Sequence, residues 1–292
     1  MNKVLAEALA GIIPHKMTRN RMRGIFRYGI FNAIHLKKQI NNTHTSPEHF
    51  LSICAIAKDE GPYFQEWIEW HRQQGVEKFY IYDNESSDDT KAILEPYIRQ
   101  GLVDYKYWPG YRRQLAAYDD CLENNRYASR WIAFIDLDEF IVPIKDASIS
   151  GFLQRFDDFA AVEINWLIYG SGGQKTKTQG NVMDRFKFHS HPSHHLNRHV
   201  KSIVNPLRVF TMIGCHEAAK INGFAADSHG QPIKKHFRGR EPQQDVIRIN
   251  HYAVKSYEEF IEKQARGRAS GTKKVLTKEY FNQYDLNDIE EQ

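Results

Sequence analysis

Between residues 50 and 142, short β-rich apolar runs alternate with stretches patterned as amphipathic helices, and no other feature narrows the fold as much. "FLSICAIA" (50–57), "KFYIYD" (78–83), "LVDYKYW" (102–108) and "RWIAFIDLDEFIV" (130–142) read as four strands. Between the first two, "PYFQEWIEWHRQQG" (62–75) places Phe64, Trp67, Ile68 and His71 at i, i+3, i+4 and i+7, with Gly75 where a helix would stop. "SSDDTKAILEPYIRQG" (86–101) predicts a second helix, with Ser86 or Ser87 as N-cap and acids in its first turn. "RRQLAAYDDCLENN" (112–125) predicts a third. Strands alternating with helices in this way imply a parallel sheet and the α/β class. Beyond residue 145 the pattern loosens into a strand at 159–170, a polar loop "GSGGQKTKTQG" (170–180), a histidine-rich stretch (189–199) and a helix starting near 258. There is no internal repeat.

Residues 1–46 read as an appendage, 47–272 as the main domain and 273–292 as a C-terminal tail. Residues 1–50 hold eight Lys/Arg against two Glu, a net charge of +6, so the remainder of this +4 chain is slightly acidic. Ile25, Phe26, Ile30, Phe31 and Ile34 lie near helical spacing, and Arg19, Arg21, Arg23 and Arg27 crowd beside them. That mixture suits a helix lying on an anionic membrane surface, or a basic helix packed on its own domain or a partner. No apolar run approaches the roughly 18 residues that a spanning helix needs, and the N-terminus lacks a secretory-signal pattern. Cys54, Cys121 and Cys215 form neither a disulfide framework nor a paired zinc pattern. The expected setting is cytoplasmic, peripheral on the inner membrane face. The acidic main domain argues against nucleic acid as a partner.

Ligands of open α/β sheets bind at the carboxyl ends of strands. Three such ends carry polar groups here: Ala57, Lys58, Asp59 and Glu60 after the first strand, Asp83 and Asn84 after the second, and Asp136, Asp138 and Glu139 after the fourth. Asp136 and Asp138 are two apart, so an extended strand would turn both to one side. Adjacent carboxylates repel and resist ionisation unless a cation relieves them. A hard divalent ion, Mg²⁺ or Mn²⁺, takes a few carboxylates together with substrate phosphate oxygens. Surface acids capping a turn are the plainer alternative, although "FIVP" follows them directly.

The stretches "ICAIAKDEGPYFQEWIEWHRQQGVEKFYIYDNESSDDT", "DLDEF" and "NHY" resemble glycosyltransferases of the family 2-like and family 92-like groups, over about residues 50–265. The resemblance implies the GT-A fold, a Rossmann-like mixed sheet flanked by helices. It also implies a nucleotide-sugar donor, Mn²⁺ or Mg²⁺, and inverting transfer to a cell-surface glycan or glycolipid acceptor. Carried over by position, Ala57, Lys58, Asp59, Glu60, Asp83 and Asn84 would hold the nucleoside side of the donor. Gln114 would line the donor pocket, and Lys201 would neutralise the departing diphosphate. Asp136 would meet the ribose and the metal's water, Asp138 would ligate the metal, and His251 would complete its coordination or serve as a core histidine. Asp184 and Glu217 are the candidate acceptor-side bases; an ion pair with Arg185 is the structural alternative for Asp184.

Several signals compete. His189, His191, His194, His195 and His199 cluster in sequence, but their spacing matches no standard zinc site. Trp166 and Tyr169 suit either core packing or stacking on a sugar. No Lys-Ser/Thr follows "GSGG" to make a phosphate loop. Nucleotidyl transfer, or a non-catalytic nucleotide-sugar-binding module, are the alternative functions.

Overall fold

The computed structural model describes residues 22, 25, 26, 28–42, 46–267 and 276–291. Helix α1 (Ile30–Asn42) precedes the βα alternation. The alternation then forms nearly as the pattern requires: β1 (His49–Ala57), α2 (Gly61–Gln73), β2 (Lys78–Asp83), α3 (Thr90–Arg99), β3 (Val103–Tyr107), α4 (Gln114–Asn125) and β4 (Ser129–Phe134). β1 pairs in parallel with β2 on one side and β4 on the other, and β2 with β3, giving the order β3-β2-β1-β4. From Leu51 onward β1 is buried, as befits a strand covered on both faces. Gly75 ends α2 with φ +91°, and a Cβ there would collide with Ser150 Oγ. The second helix starts later than expected. Asp89, not Ser86 or Ser87, is its N-cap, because Ser86 Oγ and both Ser87 donors are spent on Asp59.

The stretch 130–142, expected as one strand, is two. β4 ends at Phe134, and β5 (Glu139–Pro143) lies elsewhere in the sheet, which continues β4-β8-β6-β12-β5 through β8 (Val200–Val204), β6 (Ala161–Ile168) and β12 (Ile247–His251). Four strand spacings on a flat sheet are about 19 Å. Five fully extended residue steps reach only about 17 Å, and the link turns as well, with Glu139 N donating to Asp136 O. The sheet therefore curls until β5 returns beside the tip of β4. Its second half is mixed: β8 runs antiparallel to β4 and β6, β12 parallel to β6, and β5 antiparallel to β12.

β5 is an edge strand whose outer backbone groups are met by side chains of α2. Trp67 Nε1 donates to Glu139 O, Trp70 Nε1 to Ile141 O, and His71 Nε2 accepts from Ile141 N. His71 Nδ1 donates to Trp67 O at 2.8 Å. These roles fix a neutral imidazole, and full burial holds its pKa down to about 3.

The smaller elements complete the domain. α5 (Ile149–Leu153) follows β5, α6 (Val182–Arg185) follows the glycine loop, and β9 (Val209–Met212) and β10 (Ala218–Lys220) form a hairpin. β11 (Ala225–Ala226) adds to β6. α7 (Tyr257–Arg266) and α8 (Lys278–Tyr284) follow β12, and β13 (Ile289–Glu290) pairs with β7 (Phe188–His189). Residues 276–291, expected largely as a tail, are integrated. Ser171 N donates to Asp285, Gly172 N to Asn287 and His191 N to Asp288, while Glu291 bonds Tyr169 and Arg248. A Cβ on Gly170 would stand 2.5 Å from Leu286 O, so that contact requires glycine. In the N-terminal segment, Ala33 and Leu36 pack on Phe210, Ala219 and Ile221. The expected arginines 19, 21, 23 and 27 lie outside the described residues. No helix among the described residues is long and apolar enough to cross a membrane.

His71 sets a pH dependence of stability. The unfolded imidazole takes a proton below about 6.5, whereas the folded one resists until about 3. Stability is therefore complete above pH 6.5 and falls as pH drops toward 3. Urea unfolding at pH 8 and pH 5 should show the wild type losing about 2 kcal/mol more than His71→Gln. An equal loss in both would assign the pH dependence to other groups.

Candidate active site

The parallel order reverses between β1 and β4, so their carboxyl ends flank a crevice. Lys58 and Glu60 follow one end and Asp136 and Asp138 the other; all four line a cavity of about 320 Å³. Asp136 is held from two sides. Gln114 Nε2, at the start of α4, donates to Oδ1 at 3.0 Å, and Lys201 Nζ reaches Oδ2 at 2.6 Å. Lys201 comes from the start of β8 and also lies 3.3 Å from Glu139 Oε2. Its ammonium is buried beneath both acids. Burial alone would lower its pKa, but Asp136 and Glu139 hold it well above the usual lysine value.

Asp138 has a separate cation. Lys263 Nζ, from α7, donates to Oδ2 at 2.5 Å and to Ala253 O at 2.8 Å. Burial pushes Asp138 up, but Lys263, His251 and Lys255 together hold it well below the carboxylate range. Glu139 goes the other way. Full burial, reinforced by Asp136 and Asp138, outweighs Lys201 and pushes it up to about 8. The three acids at the core edge are thus divided: Asp136 and Asp138 each own a lysine, and Glu139 is the one that resists ionisation.

The β12–β5 register sets Glu139 directly opposite His251. Tyr252 N also donates to Asp138 O, which draws the turn onto the end of β12. Asp138, Glu139 and His251 consequently offer one ligand atom each within 4.8 Å of one another. Glu139 Oε1 and His251 Nδ1 are buried without a hydrogen-bond partner. Two orphaned buried atoms in a carboxylate–imidazole set fit a divalent cation. Burial depresses the His251 pKa despite Asp138, so the imidazole is available in its neutral, ligating form.

The sequence profile of glycosyltransferase family 92 matches residues 50–291. The chain belongs to glycosyltransferase family 92. A family 92 protein of Ricinus communis is 36% identical over 98 residues, covering 32% of this chain and 17% of that one. The beta-1,4-galactosyltransferase galt-1 of Caenorhabditis elegans is 27% identical over 221 residues, covering 66% of this chain and 49% of its own. The chain thus spans half or less of the length of these curated relatives. Among solved structures, S. aureus TarS 1–349 aligns at TM-score 0.36 and 14% identity, covering 54% of this chain and 47% of that one. Family membership and the observed sheet agree on the GT-A fold.

Within this family 92 domain, the expected site residues divide by position. Lys58, Glu60, Gln114, Asp136, Asp138, Lys201 and His251 line the one cavity. Ala57, Asp83 and Asn84 are not on its wall. Asp83 is buried, accepting from Tyr105 OH at 2.5 Å and Ser86 N at 3.0 Å, and Asn84 donates to Trp108 O and Gly110 O. Asp59, at φ +49°, takes both donors of Ser87 and lines an adjoining cavity instead. Asp59 fastens the tip of β1 to the loop after β2, and Asp83 and Asn84 fasten the tip of β2 to β3 and the loop that follows it. The set of side chains that could hold a metal contains Glu139 where Asp136 was expected, because Asp136 sits in the turn on Lys201 while Glu139 begins β5 opposite His251. Lys201 is occupied with carboxylates. Asp184 opens into a different and larger cavity of about 1100 Å³ over α2. Glu217 lies in the β9–β10 turn, 3.6 Å from His236 Nε2.

The site also uses residues that the sequence pattern did not select. Lys263 and Arg266 reach it from α7, and Arg266 bonds Asp59 O and Glu60 Oε1. Tyr280 and Tyr284 reach it from α8. Trp166 is on the wall after all, its ring 4.9 Å from His199, 5.5 Å from His216 and 4.2 Å from His251. Tyr169 is in the core. Of the histidine-rich stretch, only His199 lines the cavity, and His189 is buried beside Tyr169. The cations of α7 carried a spacing signal, since Lys263 and Arg266 share a helix face.

Removing the Lys201 ammonium takes away the cation that Asp136 and Glu139 share at the core edge. Lys201→Ala should lower unfolding free energy by about 3 kcal/mol, measured by urea denaturation at pH 7. A loss below about 1 kcal/mol would mean that the pair behaves as a surface contact.

Proposed function

We propose that this chain transfers a sugar from a nucleoside-diphosphate sugar to a hydroxyl of a glycan or glycolipid, with inversion at the anomeric carbon. The observation that carries this reading is the cavity at the β1/β4 strand ends of a family 92 domain, whose wall combines a set of side chains fitted to a cation with the cationic groups of Lys58, Lys263 and Arg266. Asp138, Glu139 and His251 would hold Mn²⁺ or Mg²⁺, which supplies positive charge to a diphosphate leaving group. One structural neighbour, the glucosyl-3-phosphoglycerate synthase from Mycobacterium tuberculosis, is described in complex with Mn²⁺ and uridine diphosphate.

This chain's own residues account for the rest. Lys58, Lys263 and Arg266 face the cavity and suit the phosphates of the donor. Asp136, 35% exposed at its side chain while Lys201 is buried, presents an oriented carboxylate for a ribose hydroxyl. Trp166 offers an apolar wall to the sugar. The acceptor hydroxyl must lose a proton as the new bond forms. Of the two candidate bases, Glu217 shares the β9–β10 turn with Cys215 and His216, which line the cavity, whereas Asp184 opens elsewhere. We therefore give Glu217 the role of base. Relatives named as galactosyltransferases make UDP-galactose the first donor to test.

Thermal shift should show UDP stabilising the protein more with Mn²⁺ than without, and Asp138→Asn should erase that increment. Stabilisation by a nucleoside triphosphate instead, with release of pyrophosphate, would point to nucleotidyl transfer. Given a glycan acceptor, Glu217→Gln should keep donor binding and lose about 10²–10⁴-fold in turnover. Asp184→Asn should change turnover by no more than a few fold. The reverse pattern would exchange their roles, and donor binding without any turnover would leave a binding module.

A further inference from the structure

Among the described residues, helix α1 has one face with a partner and one without. Ala33 and Leu36 are buried on Phe210, Ala219 and Ile221 of the β9–β10 region, with Tyr28 and Ile40 packed at the margin. On the other side, Ile30, Phe31 and Ile34 are 50%, 87% and 54% exposed. Lys37 and Lys38 continue that stripe one turn further on, and both are exposed. The helix contains no Asp or Glu, and residues 1–50 carry a net +6.

Apolar side chains flanked by lysines, with no acid between them, are complementary to a surface that is apolar inside and negative at its boundary. A second copy of this chain is a poor match, since its α1 face has no Asp or Glu to offer Lys37 and Lys38. We propose that α1 docks lengthwise on an anionic lipid surface, with Ile30, Phe31 and Ile34 in the acyl boundary and Lys37 and Lys38 against the headgroups. The hairpin links this docking to the cavity. Its strands carry α1, and its turn presents Cys215 and His216 to the cavity wall. A lipid-linked acceptor in the same surface follows from that link. This last step rests on the proposed transfer reaction; the docking does not.

The test is sedimentation of the full chain with vesicles of phosphatidylcholine alone and of phosphatidylcholine with phosphatidylglycerol. Binding should require the anionic lipid and weaken with added salt. Lys37→Glu/Lys38→Glu should reduce it by about tenfold or more, as two charge reversals at a lipid surface imply. Phe31→Asp/Ile34→Asp should reduce it comparably, and Phe31→Leu should retain it. UDP-induced thermal stabilisation, unchanged in every variant, shows that the domain remains folded. Equal sedimentation of wild type and variants overturns the proposal, as does equal binding to neutral vesicles. So does a wild-type dimer, seen by light scattering, that Phe31→Asp abolishes. A protein that ignores vesicles yet cleaves UDP-galactose removes the docking alone. One that docks as described yet never cleaves any donor upholds the docking and removes the transfer reading.

Discussion

The ammonium of Lys201, buried beneath Asp136 and Glu139, is the contact on which the arrangement of the site depends. Three carboxylates within four residues would repel one another and take up protons at the edge of an apolar core. A cation brought up from the central strand β8 anchors Asp136 and Glu139 from below. Buried ion pairs of this kind add little net stability against an apolar replacement, yet breaking one by removing a single partner is costly. Their effect here is geometric. Asp136 is turned toward the cavity with one oxygen on Gln114 and the other on Lys201. Glu139 keeps one oxygen without a partner.

The second constraint is the placement of β5. The curled sheet returns this strand beside the tip of β4, and α2 fastens its outer edge with two indole N–H groups and one imidazole. An unprotected edge strand is free to slip or to pair elsewhere. A slip of one residue against β12 would reverse every side chain and take Glu139 away from His251. The register is therefore what assembles the cation cluster, and α2, which contributes no ligand, helps to hold it.

α7 supplies the remaining positive charge, and its own anchorage is polar. Ser256 and Glu259 form a capping box at its start. Glu259 also bonds Tyr63 OH and the guanidinium of Arg185, and Arg185, Ser256 and Lys255 hold its carboxyl down to about 2 against the opposing effect of burial. With its first turn fixed, the helix delivers Lys263 and Arg266 to the cavity from its last turn. α8 then adds Tyr280 and Tyr284 to the wall, and residues 285–291 bond back to the glycine loop, β7 and β12. This integration agrees with the family profile extending to residue 291.

Much was legible in the sequence because it is written in local periodicity. Phe64, Trp67, Ile68 and His71 mark one helix face, and the apolar runs ending at Ala57 and Asp83, with the acid-bearing run 130–142, mark strands whose tips would meet at one sheet edge. The acids at those tips identified the region of the site, and the motif resemblance identified the family. What the sequence could not show depends on contacts between residues far apart in the chain. "WIAFIDLDEFIVP" reads as one continuous strand, since nothing in its apolar pattern says that Phe134 and Glu139 pair with different neighbours. The choice of Glu139 over Asp136 beside His251 is a matter of register between segments more than a hundred residues apart. The burial of Asp83, the bonding of Asp59 to Ser87, and the lysines assigned to Asp136 and Asp138 likewise follow from which elements the curled sheet brings together. Periodicity specified the elements; long-range pairing and charge compensation decided which of their carboxylates face the cavity.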